Sequence, residues 1–355
     1  MTIKLFNNKT ARIIFFIVFF IKLVIFNIII QNIAFGGDAD FYNLVATGFY
    51  GTSNFTNYFA KILYILNEYG LYNREYFKYL IFFISSIFIP ILFSYNTLKM
   101  IHFQNNSLFW NISLLISVYP TLFIFSLDIY RDIPMVFIFL IAITFMNLSI
   151  KSNKYFNKIL FLFIFIIISI HLYDWRHYLA ASMLISAFIY PIIKMKLFSF
   201  RMLILLYFIL LGVAYYIGLA NDIIVYRLGF EDGGSTLGIQ LAGNNLIKFY
   251  LLYIYSSFLQ LFSLYLVNIE VLFFFILESI PFFISLFYII KNKIYLSNFH
   301  KFLLTFFIIY GTIWLLGNDN LGTAIRLRMF NYLVIFMIAI SIYHNKKYIT
   351  KRGYV

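Results

Sequence analysis

Nine residues, SLDIYRDIP at 126–134, set Asp128, Arg131 and Asp132 between two long apolar runs. Ions in such a setting are costly unless they pair or line a wet cavity, so three together mark the rim of a ligand site. On a helix, Asp128 shares a face with Arg131 and Asp132, and an internal ion pair is the plain structural account. The chemical account gives Arg131 to a phosphate, with Asp132 orienting its guanidinium and Pro134 opening the next helix.

Three further clusters carry chemistry-bearing types. GDADFY at 37–42 puts Asp38 and Asp40 beside a glycine pair. Two such carboxylates can take a proton from a hydroxyl or hold a divalent cation, or simply cap a solvated helix. HLYDWRH at 171–177 brings His171, Asp174, Arg176 and His177 together. A histidine near a carboxylate suits proton transfer, while interfacial His, Tyr and Trp also serve as membrane anchors. The spacing is a poor match to zinc, and the chain has no cysteine, which excludes disulfides and thiolate metal sites. Near the C-terminal end, Asn318, Asp319 and Asn320 precede Arg326 and Arg328. Those two arginines point to different faces of a helix: Arg326 suits a phosphate, and Arg328 a headgroup, an acid or a role in topology.

The elements that must hold these residues follow from composition. Of 355 residues, 63% are hydrophobic and only 11% charged, with a mean hydropathy of +0.90. This is an all-α polytopic membrane protein, one integral membrane domain over residues 1–355. The longest stretches without a span, 36–78 and 221–245, are too short to bury cores of their own. A first span follows the basic residues Lys4, Lys9 and Arg12 and is interrupted by Lys22 near its middle; it lacks a cleavage pattern and is expected to stay. Further spans are expected at 79–98, 108–127, 134–148, 159–172, 178–193 and 202–220, and an interfacial helix at 55–69. If 246–267 is re-entrant or interfacial, with Lys248 and Gln260 as polar handles, both late basic segments fall on the cytoplasmic side. The count is then about ten crossings with both termini cytoplasmic, or about eleven if that segment also crosses.

This topology sorts the cations. The cytoplasmic ends hold mostly lysines, whereas Arg74, Arg131, Arg176, Arg227, Arg326 and Arg328 all fall on the outer side, six of nine arginines. Orientation alone does not call for arginine, but a rigid fork that grips phosphate or carboxylate in pairs does. Pairing with outer acids such as Asp128, Asp132, Asp174, Glu231 and Asp232 is the competing account.

About ten helices, the acidic pair Asp38 and Asp40, the turn Tyr130-Arg131-Asp132, Arg176 after the fifth span and a late arginine pair together resemble the bacterial O-antigen or capsule repeat-unit polymerases, the Wzy family. More distantly, the layout is similar to the GT-C membrane glycosyltransferases. The large extracytoplasmic domain common in GT-C enzymes is missing from this pattern, which favours the polymerase.

The resemblance implies polymerisation at the periplasmic face of the bacterial inner membrane. One undecaprenyl-diphosphate-linked oligosaccharide is donor, a second is acceptor, and undecaprenyl diphosphate leaves. It further implies no cofactor and no metal, membrane lipid and a chain-length regulator as partners, and no nucleic acid. Under it, Arg131, Arg176, Arg326, Arg328 and Arg227 would hold the pyrophosphate, with Arg74 less favoured. Asp40 or Asp38 would be the base, with His177 or Asp132 as substitutes. The 221–245 loop would cover the cleft, Gly233 and Gly234 allowing movement.

Other classes compete. A GT-C transferase using a lipid-monophosphate sugar is the nearest. A lipid-linked oligosaccharide flippase would want its cations in a central cavity, yet Lys22 and Glu278 are the few charges within spans. A transporter would show internal repeats, and a glycan acyltransferase a persuasive membrane histidine.

Overall fold

The computed structural model describes residues 6–32, 37–49, 58–101, 106–194, 200–230, 235–243, 245–264 and 269–351. Helices dominate, and the described residues contain no strand beyond a lone antiparallel bridge between Thr236 and Asn320. The chain divides into two compact units, one formed by residues 1–181 with 340–355 and the other by 182–339.

In the first unit, α1 (Asn8–Asn32) is followed by two short helices, α2 (Asp38–Ala46) and α3 (Tyr58–Glu68). The stretch expected as an outer loop is therefore largely helical, with α3 where an interfacial helix is expected; residues 50–57 lie outside the described ones. Next come α4 (Arg74–Phe83), α5 (Ile89–Met100), α6 (Asn106–Ser117), α7 (Pro120–Ile124), α8 (Asp132–Lys151), α9 (Tyr155–Tyr173) and the start of α10 (His177–Lys194). α8 packs on α9 and α5, and α6 on α1 and α5. Phe19, Phe26, Phe82 and Leu127 form a buried apolar cluster. Lys22 borders it, its ammonium 5.1 Å from the centre of the Phe123 ring. At the end opposite the 126–134 turn, the last carbonyls of α5, left without helical partners, are met by side chains: Lys151 donates to Lys99 O and Asn345 to Met100 O.

The second unit continues α10 and adds α11 (Phe200–Tyr216), α12 (Asn221–Ile224), α13 (Leu246–Leu261), α14 (Ile269–Phe274), α15 (Ile280–Lys291), α16 (Asn298–Gly317) and most of α17 (Leu321–Lys351). Asn245 caps α13, and Ser297 with His300 closes a reciprocal cap on α16.

Proline placement explains much of the segmentation. Pro90 and Pro281 each sit second in a helix directly after a five-residue π-helical turn, Ile84–Phe88 and Phe275–Ser279. A proline clashes with the carbonyl four residues earlier, Ser86 or Leu277, and both lie inside the widened turn that relieves it. Pro134 is third in α8, where its missing amide costs nothing.

Among the described residues, seven helices are long and apolar enough to cross a membrane, or eight if the pair Ile204–Tyr216 and Asn221–Phe230, bent by 81°, forms one span. This is a multi-pass helical membrane protein, and the long spans fall short of the expected ten. The shortfall has physical causes. Pro120 splits the expected 108–127 span, leaving Leu108–Ser117; His177–Ile193 is short; and α11 ends at Tyr216 before the bend. α13 is also short at 16 residues, and the chain entering it and its last turn are both held at the 318–320 turn. Ile239 N donates to Asp319 and Gln260 Nε2 to Asn318 O. The chain from 239 to 260 thus begins and ends at that turn. Gln260, however, is buried in that contact and is no interfacial handle.

Candidate functional site

The densest gathering of expected site residues lies in the first unit, around the 126–134 turn. Asn73 caps α4 by accepting from the amides of Glu75 and Tyr76, which fixes Arg74 as the first helical residue. Residues 125–131 are not helical, so the expected shared helical face does not form. Asp128 instead folds back on its own turn, accepting from Ile129 N at 2.8 Å, and neither carboxylate pairs with Arg131.

Asp128 takes a two-pronged bond from Arg74, Nε to Oδ1 at 3.1 Å and NH2 to Oδ2 at 2.7 Å. The same NH2 reaches Asp40 Oδ1 at 2.8 Å. Asp128 is 1% exposed and the Asp40 side chain 48%, so one guanidinium joins a buried acid to an open one. Asp38 and Asp40 occupy the first turn of α2, where the helix dipole favours negative charge. Asp38 is exposed. Tyr72 donates to Asn43 Oδ1 and ties α2 down; burial pushes its hydroxyl up to about 12, so it remains a donor at neutral pH.

Four residues further, Asp132 opens α8 and accepts from Arg176 NH2 at 2.9 Å, both side chains buried. Arg131 makes the reverse crossing, NH1 to Trp175 O at 3.2 Å. These two bonds strap the 126–134 turn to the 171–177 turn. Arg131 is half-buried and has no carboxylate partner among the described residues, which leaves most of its five donors open. Tyr42 on α2 lies within the field of this group: burial raises its hydroxyl, Arg131 and Arg176 oppose the rise, and Asp132 and Asp38 add to it.

The histidines stand apart from that charge network. His177 is exposed with its ring 4.5 Å from that of Tyr173, and His171 accepts weakly from Trp175 Nε1 and meets the edge of Tyr58. Trp175 is buried against Phe59, and Asp174 O accepts from Tyr58 N, so this turn docks α3. Among the described residues no three His, Asp or Glu side chains gather as a metal ion would need.

The arginines of the second unit behave differently. Arg227 is buried, and each of its five donors has an acceptor: Ile239 O, Leu315 O, Leu316 O, Ser256 Oγ and Asp319 Oδ1. No hydrogen remains for a phosphate, which removes Arg227 from the expected binding set. The same contacts tie residues 235–243 to Asp319; Gly233 and Gly234 lie outside the described residues. Arg328 is fully buried, bonded to Glu278 at 3.2 Å and stacked over Tyr332. Glu278, one of the few charges the sequence places within a span, sits in the π-helical turn before Pro281. Arg326 is half-buried one turn into α17.

The structure thus brings Asp40, Arg131, Asp132 and Arg176 to one locality and adds Arg74, which the sequence ranks low. Its signal is an asparagine cap followed by a charge at the head of an apolar run. No protein-family model matches this chain, and no curated protein or solved structure matches it.

Proposed function

We propose that this protein is a membrane glycosyltransferase of the repeat-unit polymerase type, joining diphosphate-lipid-linked oligosaccharides outside the cytoplasm for an O-antigen or capsule. The observation that carries the reading is the 126–134 turn of the first unit. Three arginines, Arg74, Arg131 and Arg176, bond to this turn or extend from it, Arg131 with open donors, beside a half-exposed carboxylate.

The chemistry follows from the charges. The acceptor hydroxyl oxygen attacks the anomeric carbon of the donor, and the bond from that carbon to the diphosphate oxygen breaks. The electron pair departs with the diphosphate, and the hydroxyl proton passes to Asp40 and then to water. A leaving diphosphate needs fixed positive charge in a site of low dielectric, which Arg131 supplies with Arg176 beside it. Asp40 is the preferred base because the Arg74 ion pair holds it while about half of its side chain stays open; Asp132 is buried against Arg176, and His177 lies outside the ion-pair network. Orientation with both termini cytoplasmic belongs to this reading, as does kinship with the GT-C enzymes.

The test is reconstitution in liposomes with a polyprenyl-diphosphate oligosaccharide. Products longer by whole repeat units, with polyprenyl diphosphate released, are expected, and Arg131→Lys should lose most product while folding normally. Transfer of a single sugar from a polyprenyl monophosphate would indicate a transferase acting earlier. Neither reaction, with lipid-linked oligosaccharide crossing the bilayer, would indicate a flippase and overturn the proposal.

A further inference from the structure

We infer that Arg74 and Asp128 are positioning residues that aim the Asp40 carboxylate at the acceptor. The inference rests on the reading above for the chemistry of Asp40; the geometry stands without it.

Asp128 cannot meet a substrate itself. It is buried, and its oxygens already accept from Arg74 Nε, Arg74 NH2 and Ile129 N. The turn beneath it is closed by Tyr130 N on Asp128 O at 2.8 Å, so the carboxylate has little freedom. Arg74 is fixed at both ends, at its backbone by the Asn73 cap and at its tip by the fork on Asp128. NH2 donates to Asp128 Oδ2, and the same nitrogen forms an ion pair with Asp40 Oδ1 at 2.8 Å. The position of that nitrogen is set by the buried acid, and its charge holds one oxygen of Asp40. Asp40 Oδ2 takes no partner among the described residues and is the atom left to accept a proton.

The neighbouring pair on α4 looks different. Lys78 and Glu75, three residues apart, make one bond with the acid 57% exposed and, among the described residues, no second acid fixing the lysine. A base oriented through a second, buried group is the logic of a catalytic triad, with arginine in place of the central histidine.

The chain's lack of cysteine gives a clean test. In full-length protein in liposomes, kcat and KM are measured for Arg74→Gln, Asp128→Asn, the double variant and Arg74→Lys. In parallel, Ala39→Cys, at a buried position in the first turn of α2, reports the order of that turn by its maleimide labelling rate. Each single variant should lower kcat on the order of 100-fold with KM nearly unchanged. The losses should not multiply in the double variant, and Arg74→Lys should recover part of the rate. Maleimide labelling of Ala39→Cys should quicken severalfold when Arg74→Gln is added. A rise in KM with kcat intact would assign Arg74 to substrate binding and overturn the inference, as would multiplicative losses. If Asp128→Asn fails to accumulate, the two Arg74 variants decide. If the parent shows no transfer at all, the functional reading has failed; labelling at position 39 then decides the positioning role, and unchanged protection in the Arg74→Gln background rejects it.

Discussion

The arginines of the 126–134 turn and those of the second unit are the same residue type in similar sequence surroundings, yet they are used in opposite ways. Arg227 spends five donors on five protein acceptors, and Arg328 is sealed against Glu278 and Tyr332. Among the described residues Arg131 bonds one backbone carbonyl and remains partly open. Donors already satisfied, in the case of Arg227, and complete burial, in that of Arg328, separate a guanidinium that holds a fold together from one that can hold a ligand.

That contrast can be broken most forcefully at Arg227. Arg227→Gln leaves Asp319 buried without its cation and should cost about 3–5 kcal/mol, a large share of total stability. Membrane yield and thermal melting in detergent would read it, and a stable variant would end the distinction. Glu278→Met should cost a similar amount alone, whereas pairing it with Arg328→Met should recover most of the loss, since no lone ion is then left buried. Melting of the double against the single variants sharpens the claim that this pair is structural.

Smaller effects belong to the first unit. Asn73→Ala removes the cap of α4 and should cost about 1 kcal/mol, with some loss of transfer because Arg74 sits on the freed turn. Arg131→Ala should move melting least, about 1 kcal/mol for its single bond. Binding of inorganic pyrophosphate or a polyprenyl diphosphate, followed by titration calorimetry, should weaken at least tenfold in that variant, about 1.4 kcal/mol. Unchanged binding would place Arg131 with Arg227.

The charged turn is legible in the sequence because Asp128, Arg131 and Asp132 stand out against apolar neighbours. Which charge meets which is not. Arg74 and Asp128 are separated by 54 positions and Arg176 and Asp132 by 44, and only tertiary packing brings such pairs together. The local reading, an ion pair on one helical face, fails because the chain around Asp128 is not helical. Arg227 escapes a sequence reading for a related reason: main-chain carbonyls, which supply most of its acceptors, leave no mark on residue types. The helical membrane class comes through, since it needs only hydropathy. The number of full-length spans does not, because hydropathy averaged over a window passes straight across the break at Pro120.

The first unit is discontinuous along the chain: residues 1–181 are completed by 340–355, and Asn345 supplies the amide that meets Met100 O. During biosynthesis the ribosome makes the charged turn early, yet the unit that carries it stays unfinished until translation has passed the entire second unit. A premature stop before Asn345 would therefore leave the α5 terminus without that amide, and damage far downstream would be felt by the part synthesised first.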